Sequence, residues 1–180
     1  MKVEINKSMK LSEHFTLGEL CKTKHVTEDG NIPSRVAIEN LKRICENWLE
    51  DLRYSYNMLY VHSGVRPQSK VAGDCTLAPD PGAAPESEEP IVINSGYRSP
   101  AVNLLAGGAK TSNHLSGCAV DIRCVGKEQM IRYASILVDI ADGTGQEFDE
   151  LLLEQHGSVC WLHFAVRPKD NRRRIGFIRT

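Results

Sequence analysis

Apolar residues recur every three or four positions from Leu41 through Ile44, Cys45, Trp48 and Leu49 to Leu52. That spacing lays a single stripe along a helix, and it predicts a long helix from about Ser34 to Arg53 with the stripe turned to a core. Ahead of it, Thr16-Leu17-Gly18-Glu19 has the form of a capping box, so a short helix begins there and carries Leu20 inward. The turn-rich Glu28-Asp29-Gly30-Asn31 separates the two. Met58 to His62 reads as a short strand.

In the second half the elements are more closely spaced. Ile91-Val92-Ile93 predicts a strand that runs into Asn94-Ser95-Gly96-Tyr97-Arg98. Ser99 caps the next helix, with Pro100 in its first position and Gly107-Gly108 at its end. Ala119 to Cys124 predicts a strand, and Glu128 to Ala141 a helix that stops near Gly143. Leu151-Leu152-Leu153 and Cys160 to Val166 predict two strands joined as a hairpin through Gly157-Ser158. Between the halves the pattern lapses. Five of the eight prolines fall between Pro67 and Pro90, among Gly, Ala, Ser and acidic residues. Such a stretch buries too little surface to offset its ordering entropy, so 67–90 is expected to be a flexible Pro-rich insertion. Helices first and strands later predict an α+β fold, a central antiparallel sheet with helices packed on one face.

At 180 residues the chain suits a single domain over 1–180. A formal net charge of −1 gives no electrostatic ground for a nucleic-acid partner. No segment is long and apolar enough to span a bilayer, and MKVEINKSMKLSEHF lacks a signal-peptide core. The expectation is therefore a monomer, cytoplasmic as synthesised, that needs release or export to act outside the cell. Six cysteines without a Cys-x-x-Cys pair read as buried free thiols. The basic end, Arg167 to Arg179 with Arg172-Arg173-Arg174 inside it, reads as a solvated tail; adhesion to an anionic polymer is the sharper alternative.

The candidate chemistry lies in Ser112-Asn113-His114-Leu115-Ser116-Gly117-Cys118-Ala119-Val120-Asp121 and, far downstream, Trp161-Leu162-His163. Two imidazoles and a carboxylate are the donors of a catalytic zinc ion, which keeps a fourth position open. Alternation along the strands puts Ala119, Asp121 and Arg123 on one side, and Trp161, His163 and Ala165 on one side of theirs. Each residue also has a plainer use: Asp121 can pair with Arg123, and His163 can be an ordinary core residue. His14, His25 and His62 lack any such context.

Ser-x-His-x-x-Gly-x-Ala-x-Asp, preceded by Ser-Gly-Tyr-Arg-Ser and followed by Trp-x-His, resembles the zinc D-Ala-D-Ala carboxypeptidase family. That family shares the hedgehog/DD-peptidase fold and includes phage and bacterial cell-wall peptidases. The likeness extends to Phe15-Thr16-Leu17-Gly18-Glu19-Leu20 and the long helix. It implies one zinc ion held by His114, Asp121 and His163, with Arg98 contacting substrate and Ser112 hydrogen-bonding near the metal. Relatives place an acidic general base shortly before the last ligand. Here Cys160 and Trp161 occupy those positions, so Glu154 is favoured, with Asp149 and Glu150 as lesser candidates. The function implied is hydrolysis of D-alanine-containing peptidoglycan stem or cross-link peptides, as a carboxypeptidase or an endopeptidase. The alternative is a catalytically inactive zinc-binding module that binds cell wall or a protein partner.

Overall fold

The computed structural model describes residues 6–61 and 88–179. Most of the expected insertion at 67–90 lies outside the described residues.

Leu17–Leu20 forms α1 behind a full capping box, in which Thr16 and Glu19 each satisfy the other's backbone N–H. Arg35–Ile44 forms α2, capped by the Ser34 hydroxyl. The helical path then continues through a π turn at Cys45–Leu49, α3 at Glu50–Tyr56 and a second π turn at Asn57–Val61. Leu41, Ile44, Cys45, Trp48, Leu49 and Leu52 are all buried, as their spacing predicted. The strand expected at Met58 to His62 is not there; its described residues complete the helix. No Gly or Pro lies between Arg53 and Val61 to break it. The consecutive Met58 and Leu59 are both exposed, so the segment lacks the alternation of a half-buried strand.

The strands are β1 (Ile93–Ser95), β2 (Ala119–Cys124), β3 (Glu150–His156), β4 (Val159–Ala165) and β5 (Arg174–Arg179). They form one sheet in the order β1-β2-β4-β3-β5. Between β1 and β2 lie α4 (Pro100–Leu105), capped by Ser99, and a 3₁₀ turn at Asn113–Ser116; α5 (Gly126–Thr144) joins β2 to β3. Val120, Ile122, Leu151, Leu162 and Phe164 are fully buried on the face that α5 and the long helix cover. There Trp48 meets Phe164 and Phe148 edge to face, with centroids 5.0 and 6.3 Å apart. Such contacts contribute about 0.5–1.5 kcal/mol each beyond burial.

The sheet is mixed rather than antiparallel throughout, because β5 runs parallel to β3. The physical reason lies in the connection from β4 to β5. Asp149, at the mouth of β3, binds Arg167 near the start of that connection and Arg172 near its end. The chain is thereby turned back across β3 instead of leaving as the solvated tail that the arginine run suggested. The α+β class and the one-sided helix layer stand. The five described cysteines are free; Cys21 is partly buried and the others buried, while Cys75 lies outside the described residues.

Candidate metal centre

The open face of the sheet carries the site. In the β2–β4 ladder Asp121 lies opposite His163, and in the β3–β4 ladder Leu152 does. Residues in register share a face, so Asp121, His163, Glu150 and Glu154 all project to the side away from the helices.

His114 reaches the same point from the 3₁₀ turn. Ser112 caps that turn, its hydroxyl accepting from the His114 N–H at 3.4 Å. Gly117 ends it at φ +69, and a Cβ there would sit 2.4 Å from the Ala37 carbonyl of α2. Only glycine satisfies both demands. Asn40 of α2 donates to the Ser116 carbonyl at 2.9 Å and ties the turn down from the other side. Ser112 thus shapes the turn that carries His114.

The imidazole of His114 is fixed by a second contact. Its Nδ1 lies 2.6 Å from the Gly96 carbonyl, which can only accept, so Nδ1 carries the proton and Nε2 keeps a lone pair. That Nε2 is 3.2 Å from Asp121 Oδ1 and 3.3 Å from His163 Nδ1, and His163 Nδ1 is 2.9 Å from Asp121 Oδ1. These three atoms form a group that could hold a metal ion. Their separations fit the donor set: ligands at about 2.0–2.1 Å from a tetrahedral ion lie roughly 3.3 Å apart. The outer nitrogen of His163 is 3.6 Å from Glu150 Oε2, the carboxylate–histidine arrangement that orients a metal-binding imidazole.

The electrostatics couple the carboxylate to its two imidazoles. Burial alone would raise the Asp121 carboxyl, but His114 and His163 outweigh it and hold the group well below the ordinary carboxylate range. Burial alone would lower His163, but hydrogen bonds to Asp121 and Glu150 outweigh it and lift the imidazole to about 9. The ionised Asp121 carboxylate thus draws positive charge toward it.

Arg98 comes in from the turn after β1. Its Nε donates to Ser95 Oγ at 2.8 Å, and its Nη2 pairs with Asp121 Oδ2. The pairing of Asp121 with Arg123 that the sequence allowed is replaced by this one. The Ser95–Ser99 turn is held by Asn31, buried, with its amide donating to the Cys21 and Tyr97 carbonyls and its oxygen accepting from the Ser99 N–H. Nothing in the sequence marked Asn31 beyond its turn-rich neighbourhood.

Residues 85–150 match the family model described as peptidase M15. Over that stretch the chain is similar to the M15 peptidases. The match bears out the resemblance to the zinc D-Ala-D-Ala carboxypeptidase-like group and supports a metallopeptidase hydrolase of a zinc-dependent family. It covers Arg98, His114, Asp121, Asp149 and Glu150; Glu154 and His163 lie beyond it. No curated protein matches the chain.

The three acids that competed for the base role have different surroundings. Asp149 is fully buried and saturated: two arginines and Asn113 hold it, and they bring its carboxyl down to about 2 against the pull of burial. Glu150 is paired with Arg172 and Arg174, and the His163 hydrogen bond leads in lowering its carboxyl. Glu154 alone moves the other way: burial, helped by Asp121, raises its carboxyl. All three histidine and aspartate donors, with Arg98, Glu150 and Glu154, line one cavity of about 660 Å³. Three arginines of the basic end, Arg167, Arg172 and Arg174, line it too. Sequence reading missed them as site residues. Of the histidines set aside, His14 is bound by Glu50 at 2.6 Å.

Proposed function

We propose that the protein is a zinc-dependent peptidase that hydrolyses D-alanine-containing peptidoglycan stem or cross-link peptides, as a carboxypeptidase or endopeptidase. With it we propose the hedgehog/DD-peptidase fold as the arrangement of the chain. The observation that carries the reading is the convergence of His114 Nε2, His163 Nδ1 and Asp121 Oδ1 within hydrogen-bond distance of one another, with His114 Nδ1 already committed to Gly96. Lone pairs so close repel one another unless a cation or a proton lies between them.

His114, Asp121 and His163 would hold a single zinc ion, whose bound form supplies Lewis acidity and a water of lowered pKa. Glu154 is the general base. A carboxylate raised by burial is matched to taking a proton from the attacking water and returning it to the leaving amine. Arg98 leaves Asp121 for the substrate, where its fork stabilises the developing oxyanion or a terminal carboxylate. Glu150 holds the outer nitrogen of His163 and so fixes the direction of its inner one.

The test joins metal analysis of the purified protein with mass spectrometry of peptidoglycan fragments before and after incubation. One zinc per chain together with loss of D-alanine or scission of a cross-link is expected. Zinc at full occupancy with every fragment intact would instead favour the inactive binding module.

A further inference from the structure

The cavity holds a second charged group that the metal trio does not use. Asp149 takes both nitrogens of the Arg172 fork, Nε at 2.8 Å and Nη2 at 2.7 Å, and lies 2.7 Å from Arg167 Nη2. Glu150 lies 3.0 Å from Arg172 Nη2 and 3.1 Å from Arg174 Nη1. The acids are at the back: the Asp149 side chain is 0% exposed and that of Glu150 13%. The guanidinium-bearing side chains face outward, with Arg172 51% and Arg174 59% exposed. Two carboxylates therefore hold three guanidiniums, each with a carboxylate contact, and the group by itself carries one net positive charge. Asp121 does not supply the balance, because Arg98 and His163 take both its oxygens. An arginine pinned from behind by a carboxylate has lost its conformational freedom before any ligand arrives, which is how a receptor is preorganised.

Arg174 is the member best placed for a ligand. It lies opposite Glu150 in the β3–β5 ladder, hence on the face of His163. Glu150 bridges the two, with Oε2 3.6 Å from the His163 imidazole and Oε1 3.1 Å from Arg174. Strand spacing and rise put the two α-carbons about 12 Å apart, and the arginine side chain spans much of that. An extended peptide advances about 3.4 Å per residue, so the guanidinium reaches a group one or two residues from a bond held at the trio.

We propose that Arg174, with Arg172 held beside it by Asp149, forms a carboxylate-binding subsite that selects peptides bearing a free carboxylate one or two residues from the scissile bond. The subsite rests on the peptidase reading for its substrate, and its occupant is a carboxylate because that is the group a guanidinium fork binds best. If the arginines serve only to hold β5 in the sheet, their replacement costs stability and leaves ligand preference alone.

Binding separates these cases without relying on turnover. The probes are a stem pentapeptide and a set of its analogues, each with one free carboxylate converted to a carboxamide. Calorimetry would compare them on zinc-loaded Glu154→Gln protein with and without Arg174→Gln, while wild-type hydrolysis is followed separately. One carboxamide should weaken binding on the order of tenfold. Arg174→Gln should weaken the parent peptide by the same factor and erase the penalty for that one analogue. Arg174→Lys, which keeps the charge and loses the fork, should restore only part of it. Equal binding of parent and all analogues, or a penalty that survives Arg174→Gln, would overturn the subsite even if wild-type protein hydrolyses the peptide. Discrimination that depends on Arg174 in a protein that hydrolyses nothing would uphold the subsite and remove the peptidase reading.

Discussion

Asp149→Asn tests whether a buried charge, rather than its shape, holds the β4–β5 connection in place. The carboxyl sits at about 2 where its ordinary value is 3.8, despite burial, because Arg172, Asn113 and Arg167 bind its ionised form. At about 1.4 kcal/mol per pH unit, a shift of nearly two units is worth about 2 kcal/mol at pH 7. Removing one partner of a fully buried pair costs about 3–5 kcal/mol, but Arg167 and Arg172 are one third to one half exposed and can turn to water, so the smaller figure applies. For a depressed carboxyl the stabilisation is complete above the unfolded value and lost as pH falls through the folded one. It should therefore have dropped to about half by pH 3. Urea denaturation of metal-free wild type and Asp149→Asn, at pH 7 and pH 3, measures both numbers. The expected result is a loss of about 2 kcal/mol at pH 7, or roughly 4–8 °C in Tm, shrinking toward half in acid. A deficit of equal size at both pH values would show that the amide disturbs packing, not charge, and would refute the reasoning.

Glu154→Gln should keep zinc at one per chain while peptide hydrolysis falls by about 10²–10⁴-fold; hydrolysis at the wild-type rate would take Glu154 out of the mechanism. Chelation should lower Tm, and zinc at about a hundred times its Kd should restore about 2.7 kcal/mol. Asp121→Asn should blunt that response, and a melting curve indifferent to chelator and zinc would count against a metal at the trio. Gly117→Ala should cost at least about 2 kcal/mol in denaturant, since its backbone is left-handed and its Cβ would strike the Ala37 carbonyl. A fully stable alanine variant would mean the His114 turn is not set by this contact.

Much of the site could be read locally because the relevant signals are short. Thr16 with Glu19, and Ser34 and Ser99, announce their helices by satisfying N–H groups within three residues. Asp121 and His163 each sit on the correct face because strand alternation has a period of two, whatever the strand pairs with. The same logic failed for Met58 to His62, where a run of apolar residues has no period to distinguish strand from helix.

What the sequence by itself determined is therefore the candidate donor set and the elements that present it: two imidazoles, one carboxylate, the capped turn that aims His114 and the two strands that aim the others. Tertiary structure alone decided which atoms those donors turn toward each other, since Gly96 lies eighteen residues from the histidine it orients. It also decided the fate of three acids and three arginines that look interchangeable along the chain. Asp149 is buried and paired, Glu150 is shared between His163 and the arginines, and Glu154 is left with a raised carboxyl. The reason is physical: propensity, capping and alternation act over a few residues, whereas charge burial and ion pairing depend on which distant strands come to lie side by side.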